Sequence, residues 1–356
     1  MGEENRQQTE QKPSIREVFI TFVLLALLFS VPVVSMLRGS TDGAADGLFA
    51  EEKTAADPVT PVGQLKAAAG DFTAHLFLKS ELIRLNREVV KRTSGGTMLA
   101  STQVLAGKDH WLFFKSETDG ESIPDYMGTN RYTEEKMAEL TGKFEVFHEK
   151  LKERGIELYV LCIPNKEIVY QEYMPDNYIR LFTPSRGEQL TEYVNTHSEI
   201  PMIYPLQALL DAKQYGQLYY CTDTHYNHMG AFVVLQEFFR TAYGESRTPD
   251  TVQFLDPWDD YAGDLATVAG LDQDFHYCQD HVYTINIETI DHSQYHDQCI
   301  LIIGDSFADF LSAEAALYYR EAYSVGVGAY DDSVLDLYRP DIVIWETGER
   351  RLSALE

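Results

Sequence analysis

The chain has 356 residues, 44% of them hydrophobic, with 29 basic against 56 acidic side chains and a formal net charge of −27. That length holds one large domain or two small ones, and the apolar fraction supports a sizeable core. The charge argues against nucleic acid as a partner and against docking on anionic lipid headgroups.

Residues 1–17 form a polar tail. Residues 18–37 are nearly uninterrupted in apolar character, about the length a membrane-crossing helix needs and longer than a signal-peptide core. Arg6, Lys12 and Arg16 precede this span, and Arg38 and Lys53 follow it. That asymmetry places the tail in the cytoplasm, the span as a single anchor and the bulk of the chain outside. Cleavage after the span is the alternative that the sequence leaves open. Residues 38–63, rich in Gly, Ala, Asp, Pro and Thr, are expected to be a linker. Residues 64–100 are expected to hold a helical stalk or an N-terminal helix, with Phe72, Leu76, Leu82, Leu85 and Val89 on one face and Gly95-Gly96 beyond its end.

From residue 101 the pattern alternates between strand and helix. Residues 111–114 form a short aromatic strand. Residues 133–154 are amphipathic through Met137, Leu140, Phe144, Phe147 and Leu151, with Thr133 as a cap and Gly155 as the stop. Residues 157–163, 202–204, 299–303 and 341–345 are expected as strands, and 230–243 as a helix. Apolar strands separated by helices imply an α/β fold with a mostly parallel sheet covered on both faces.

The sharpest chemical signal is Gly304-Asp305-Ser306 directly after the apolar run 299–303. It sets a hydroxyl at the C-terminal edge of a buried strand, where α/β folds expose their chemistry. The plain alternative is a turn with Ser306 as a helix cap. A second segment, Thr222-Asp223-Thr224-His225-Tyr226-Asn227, supplies a base and a carboxylate to orient it. A serine becomes nucleophilic when a histidine takes its proton and a carboxylate holds that histidine. Ser306, His225 and Asp223 are therefore the catalytic candidates. The backbone N–H of Ser306 and Asn165 are the oxyanion candidates. Tyr226, Tyr220 and Arg350 are the substrate-binding candidates. Asp305 is expected to form the turn, and Glu349 and Arg350 to pair structurally. His225 and His228 lack a third ligand at matching spacing, so no metal is expected, and this chemistry calls for no cofactor. Cys162 and Cys299 sit in apolar runs; pairing among the four cysteines is left open.

Five blocks in order resemble one family. They are Gly107-Lys108-Asp109-His110-Trp111-Leu112-Phe113, then Ile163-Pro164-Asn165-Lys166 with Tyr170 and Pro175, then the Asp223/His225 block with Gly230, then Gly304-Asp305-Ser306-Phe307, and finally Trp345-Glu346 with Glu349-Arg350. Over about residues 68–356 the chain looks like the SGNH-hydrolase-like polysaccharide O-acetyltransferases, the alginate O-acetyltransferase-like and DHHW proteins. Tyr226 stands where that family usually has tryptophan. Asp and His precede Ser, the permuted order of the alginate enzymes. The resemblance implies an SGNH-like three-layer sandwich over residues 101–356. It also implies an extracytoplasmic O-acetyltransferase working through a Ser306 acyl-enzyme, with a multipass membrane O-acyltransferase as acetyl donor and a bacterial cell-surface polysaccharide as acceptor. An acetylesterase with the same three residues, or a non-catalytic envelope or spore-coat assembly protein, are the alternatives.

Overall fold

A computed structural model describes residues 103–115, 120–256, 261–271 and 277–355. The expected tail, anchor, linker and stalk lie outside the described residues. Among the described residues no helix is long and apolar enough to cross a membrane.

The strands in chain order are Val104–Ala106 (β1), Leu112–Phe114 (β2), Glu157–Ile163 (β3), Met202–Ile203 (β4), Phe254–Leu255 (β5), Thr284–Ile285 (β6), His296–Gly304 (β7), Tyr319–Gly326 (β8) and Ile342–Gly348 (β9). The helices are Ser122–Met127 (α1), Glu134–Lys152 (α2), Lys166–Val169 (α3), Arg186–His197 (α4), Leu206–Ala212 (α5), His228–Tyr243 (α6), Asp264–Ala269 (α7), Phe307–Ala315 (α8) and Asp332–Tyr338 (α9).

Five strands form the central sheet in the order β4-β3-β9-β7-β8, and every pairing within it is parallel. The inner strands read as unbroken apolar runs because both of their faces are covered. Side chains alternate between the faces. Tyr159, Leu161, Ile163, Ile300, Ile302, Ile342 and Ile344 enter one core with Phe232, Phe238 and Phe239 of α6 and Leu311 of α8. Leu158, Val160, Cys162, Leu301, Ile303 and Val343 enter the other with Leu140 and Phe144 of α2, Leu190 and Val194 of α4 and Leu335 of α9. The result is an α/β/α sandwich. Each large apolar side chain buried this way contributes about 1.5–3 kcal/mol.

The long helices start where their caps dictate. The Thr133 hydroxyl accepts from the Lys136 N–H ahead of α2. Ser185 and Glu188 form a reciprocal capping box ahead of α4. Asn227 accepts from the Gly230 N–H ahead of α6. Strand β8 carries no strong periodic signal. β8 is an edge strand, exposed along much of its length with Arg320 and Glu321 in it, so burial does not impose an apolar run on it.

All five strands point their C-terminal ends the same way. Gly304 of β7 and Gly348 of β9 therefore finish at one edge of the sheet, and that edge holds Ser306.

Candidate active site

Ser306 sits in the two-residue turn between β7 and α8. The turn is pegged from three sides. Asp305 Oδ1 accepts from the Phe307 N–H at 3.0 Å, and its Oδ2 accepts from the Gly348 N–H at 3.1 Å. The Asp305 N–H donates to Glu346 Oε2 at 3.1 Å. Asp305 is thus the turn former. Ser306 occupies the helix-cap position, yet its side chain makes no capping bond, and it is exposed. Its hydroxyl instead meets His225 Nε2 at 2.6 Å.

His225 Nδ1 lies 2.6 Å from Asp223 Oδ1, which also accepts the His225 backbone N–H at 3.0 Å. An Nδ1–H bond to the carboxylate leaves the Nε2 lone pair for the serine proton. Asp223 Oδ2 accepts from the Tyr261 hydroxyl at 2.8 Å and the Asp264 N–H at 2.9 Å. Burial opposes ionisation of Asp223. The hydrogen bond and charge of His225, with the backbone N–H groups of Asp264 and His225, outweigh it and hold the carboxyl well below the usual range. The imidazole also packs on Phe307 and Phe310, with ring centroids 4.7 and 5.7 Å away.

The loop that carries Asp223 and His225 is tied down by its backbone. Buried Lys166, at the start of α3, donates to the carbonyl oxygens of Tyr220 at 2.9 Å, Cys221 at 3.3 Å and Asp223 at 2.7 Å. Burial pulls its ammonium down to about 8, against the opposing charges of Asp280, Glu167 and Asp223. Asp280 accepts from the N–H groups of Cys221 and Thr222 and from the Thr222 hydroxyl. A disulfide joins Cys221 to Cys278, 57 residues apart, while Cys162 and Cys299 are free and buried.

Several sequence candidates occupy other places. Tyr226 is 0% exposed, and its hydroxyl donates to the Phe307 carbonyl at 2.8 Å. It supports the site from beneath and is closed to a ligand. Tyr220 is 2% exposed and stacks on Tyr261, so it too is a packing residue. Asn165 ties two strand ends together. Its Nδ2 donates to Asp125 Oδ2 at 2.9 Å, its Oδ1 accepts from the Arg350 N–H at 2.9 Å, and its own N–H donates to Glu349 Oε2 at 3.3 Å. It lines a cleft with Thr224, Phe307 and Arg350, next to the cavity that Ser306 lines. The Ser306 N–H lies just ahead of α8. Glu349 and Arg350 part ways. The Glu349 carboxylate accepts from the Gly187 N–H and the Tyr204 hydroxyl, whereas the Arg350 guanidinium lies over the Phe114 and Phe307 rings at 5.6 Å.

His228 turns away from His225 and pairs with Glu314 at 2.7 Å. Among the described residues, Asp223, His225 and Asp264 bring donor atoms within 4.8 Å of one another. Their oxygens already accept from His225, Tyr261 and Thr224, which makes the group a hydrogen-bonded relay. Tyr261, Asp264 and Asp280 carry no local signal in the sequence. Lys166 does, since it stands in the Pro164-Asn165-Lys166 block.

Residues 104–310 match the family described as SGNH hydrolase-like domain, acetyltransferase AlgX. Over 181 residues the chain is 28% identical to the probable alginate O-acetylase AlgJ of Pseudomonas syringae pv. tomato, covering 48% of this chain and 42% of that protein. The chain thus spans less than half the length of that relative. Similar solved structures include these two. The O-acetyltransferase domain of Pseudomonas putida AlgJ has a TM-score of 0.46 and 21% identity, covering 71% of this chain and 95% of that one. Bacillus cereus PatB1 has a TM-score of 0.47 and 12% identity, covering 70% and 96%. The family match takes in more than half of the 356 residues and runs through Asp223, His225 and Ser306, so this chain belongs to the SGNH hydrolase-like AlgX acetyltransferase domain family.

Proposed function

We propose that the chain is an extracytoplasmic O-acetyltransferase that moves an acetyl group through Ser306 to hydroxyls of a cell-surface polysaccharide. The observation that carries this reading is the unbroken relay from Asp223 through His225 to an exposed Ser306, with 2.6 Å at each link. In the first half-reaction Ser306 Oγ bonds to the acetyl carbon of an ester donor. His225 takes the serine proton and delivers it to the departing alkoxide as the donor's C–O bond breaks. In the second, a sugar hydroxyl oxygen attacks the acetyl carbon. His225 takes its proton and returns it to Ser306 Oγ as the acyl-enzyme bond breaks. No net oxidation or reduction occurs. Asp223 keeps the tautomer and stabilises the imidazolium. The Ser306 N–H stabilises the oxyanion in both halves.

The Cys221–Cys278 disulfide suits an oxidising compartment outside the cytoplasm. The apolar residues 18–37 suit a single membrane anchor. An acetyl donor made in the cytoplasm then has to be relayed across the bilayer, the task of a multipass O-acyltransferase partner.

The deciding experiment treats the purified chain with an activated acetyl ester and records intact mass. The chain should gain one acetyl group, Ser306→Ala should not, and added oligosaccharide should discharge the group onto sugar. Rapid release as acetate, with no acetylated sugar formed, would replace transfer by ester hydrolysis.

A further inference from the structure

Glu346, near the end of β9, is fully buried beside the turn that bears Ser306, and the relay does not use it. Its Oε2 accepts the Asp305 N–H at 3.1 Å, and its carboxyl is hydrogen-bonded to the Asp305 carboxyl. Gly304 leaves room for this contact. A Cβ at 304 would collide with Glu346 Oε2, so the first residue of Gly304-Asp305-Ser306 and the buried acid fit only together. Two carboxyls bonded to each other need a proton between them, because two like charges at that range repel. Asp305 Oδ1 and Oδ2 each accept a backbone N–H, from Phe307 and Gly348, and both bonds favour its ionised form. The proton therefore belongs to Glu346. Burial, and then the Asp305 charge, push the Glu346 carboxyl well above its usual range, against the opposing Asp305 N–H and Arg350 charge.

We propose that Glu346 is a positioning residue for acylation, a neutral acid whose O–H donates to the Asp305 carboxylate and so holds Ser306 Oγ against His225. The bonds close a ring. Glu346 donates to Asp305, Asp305 accepts from Phe307 and Gly348, and the Asp305 N–H returns to Glu346. Asp305 and Phe307 are the two neighbours of Ser306, so the ring fixes the backbone on both sides of the nucleophile. Its kinetic consequence rests on the transfer reading above. A nucleophile held in place needs no reorientation before attack, and small misplacements cost large factors in rate.

Two substitutions of similar volume test this in the full chain. Glu346→Gln can donate an N–H to Asp305 and accept the Asp305 N–H, which repeats both bonds of a neutral acid. Glu346→Met fills the space and makes neither bond. With an activated acetyl ester, Glu346→Met should lower the acylation rate at saturating ester by about 100-fold, with little change in the half-saturating concentration. Glu346→Gln should restore the rate to within about threefold of wild type, since it keeps the bonds. Amide hydrogens of residues 304–308 should exchange about tenfold faster in Glu346→Met and at the native rate in Glu346→Gln, the scale of one lost hydrogen bond. Infrared spectra in neutral D2O, compared between Ser306→Ala and Ser306→Ala with Glu346→Gln, should show one protonated-carboxyl band lost. A folded Glu346→Met that acylates like wild type overturns the inference. So does a Glu346→Gln as slow as Glu346→Met, which would mean that an ionised carboxylate is required. A difference spectrum with no lost band also overturns it. Should Glu346→Met fail to fold, the Glu346→Gln rate and the infrared band decide. Should the wild type fail to acylate, the transfer reading falls, while exchange and the infrared band, which need no chemistry at Ser306, still decide whether a neutral acid holds the turn.

Discussion

Lys166 Nζ donates to the main-chain oxygen of Asp223 at 2.7 Å, across 57 residues of sequence. The bond joins the end of β3 to the loop that bears the relay acid. The same ammonium also holds the Tyr220 and Cys221 carbonyls, so one buried cation fixes three carbonyls within residues 220–223.

Lys166→Met should therefore act on both stability and rate. It removes the ammonium donor from the buried Tyr220 and Asp223 carbonyls, at about 1–3 kcal/mol each, while the Cys221 carbonyl keeps the Leu112 N–H, so the melting temperature should fall clearly. Acylation of Ser306 by an activated ester should drop by about 100-fold, since a misplaced Asp223 no longer orients His225. A folded Lys166→Met protein with near-wild-type acylation would show that the clamp is dispensable.

The relay residues should separate by role. Ser306→Ala should abolish acylation while changing stability by less than about 0.5 kcal/mol, because Ser306 is exposed. His225→Ala should lose nearly as much rate. Asp223→Asn should retain more activity than either, though reduced by about 10³-fold or more, because it orients and does not react. Stopped-flow acylation with urea unfolding in parallel measures both quantities.

Asp223 also predicts a pH dependence. Its carboxyl lies below the usual range in the native protein despite burial, so around pH 4 the unfolded chain binds more protons than the native one. The stabilisation it gives is complete above the unfolded pKa and drains away as pH falls through the native value. The stability gap between wild type and Asp223→Asn should be widest near neutral pH and close in acid. Urea denaturation between pH 3 and 7 reads this directly, and a gap that widens in acid would reverse the assignment.

Reduction of the Cys221–Cys278 disulfide should loosen the same loop. Cross-linking residues 57 apart constrains the unfolded chain by about 4 kcal/mol. Cys278→Ser should lower stability on that scale. It should also slow acylation, since the Cys221 N–H and C=O are held by Asp280 and Lys166. Equal melting temperatures with and without reductant would rule the bridge out.

Gly263 has no room for a side chain. A Cβ there would lie 2.5 Å from both Asp223 Cβ and the Thr222 carbonyl oxygen. Gly263→Ala should cost about 1–3 kcal/mol by overpacking and should slow acylation by displacing Asp223. Gly142, inside α2, meets nothing within 4 Å. Gly142→Ala should instead stabilise by about 0.5–1 kcal/mol through helix propensity. Differential scanning fluorimetry of the two variants gives opposite signs if the packing is as described.

The sequence by itself determined the elements whose signal is local. An inner parallel strand is buried on both faces, so residues 157–163 read as one apolar run and match β3 residue for residue. The run at 299–303 likewise leads into Gly304-Asp305-Ser306 at the sheet edge. Residues 133–154 show the 3.6-residue period of α2. The exposed edge strand β8 stays hidden because solvent places little constraint on its composition. Only the tertiary structure decided which groups meet. His225 and Ser306 touch across 81 residues, and Tyr261 reaches Asp223 across 38; no spacing rule encodes such separations. It likewise decided which two of the four cysteines pair. It turned Tyr226 and Tyr220 into the core, where an aromatic ring gains more from burial than from facing water. It also committed the Asn165 amide to Asp125 and Arg350, because a buried amide must be paired wherever the packed chain offers partners.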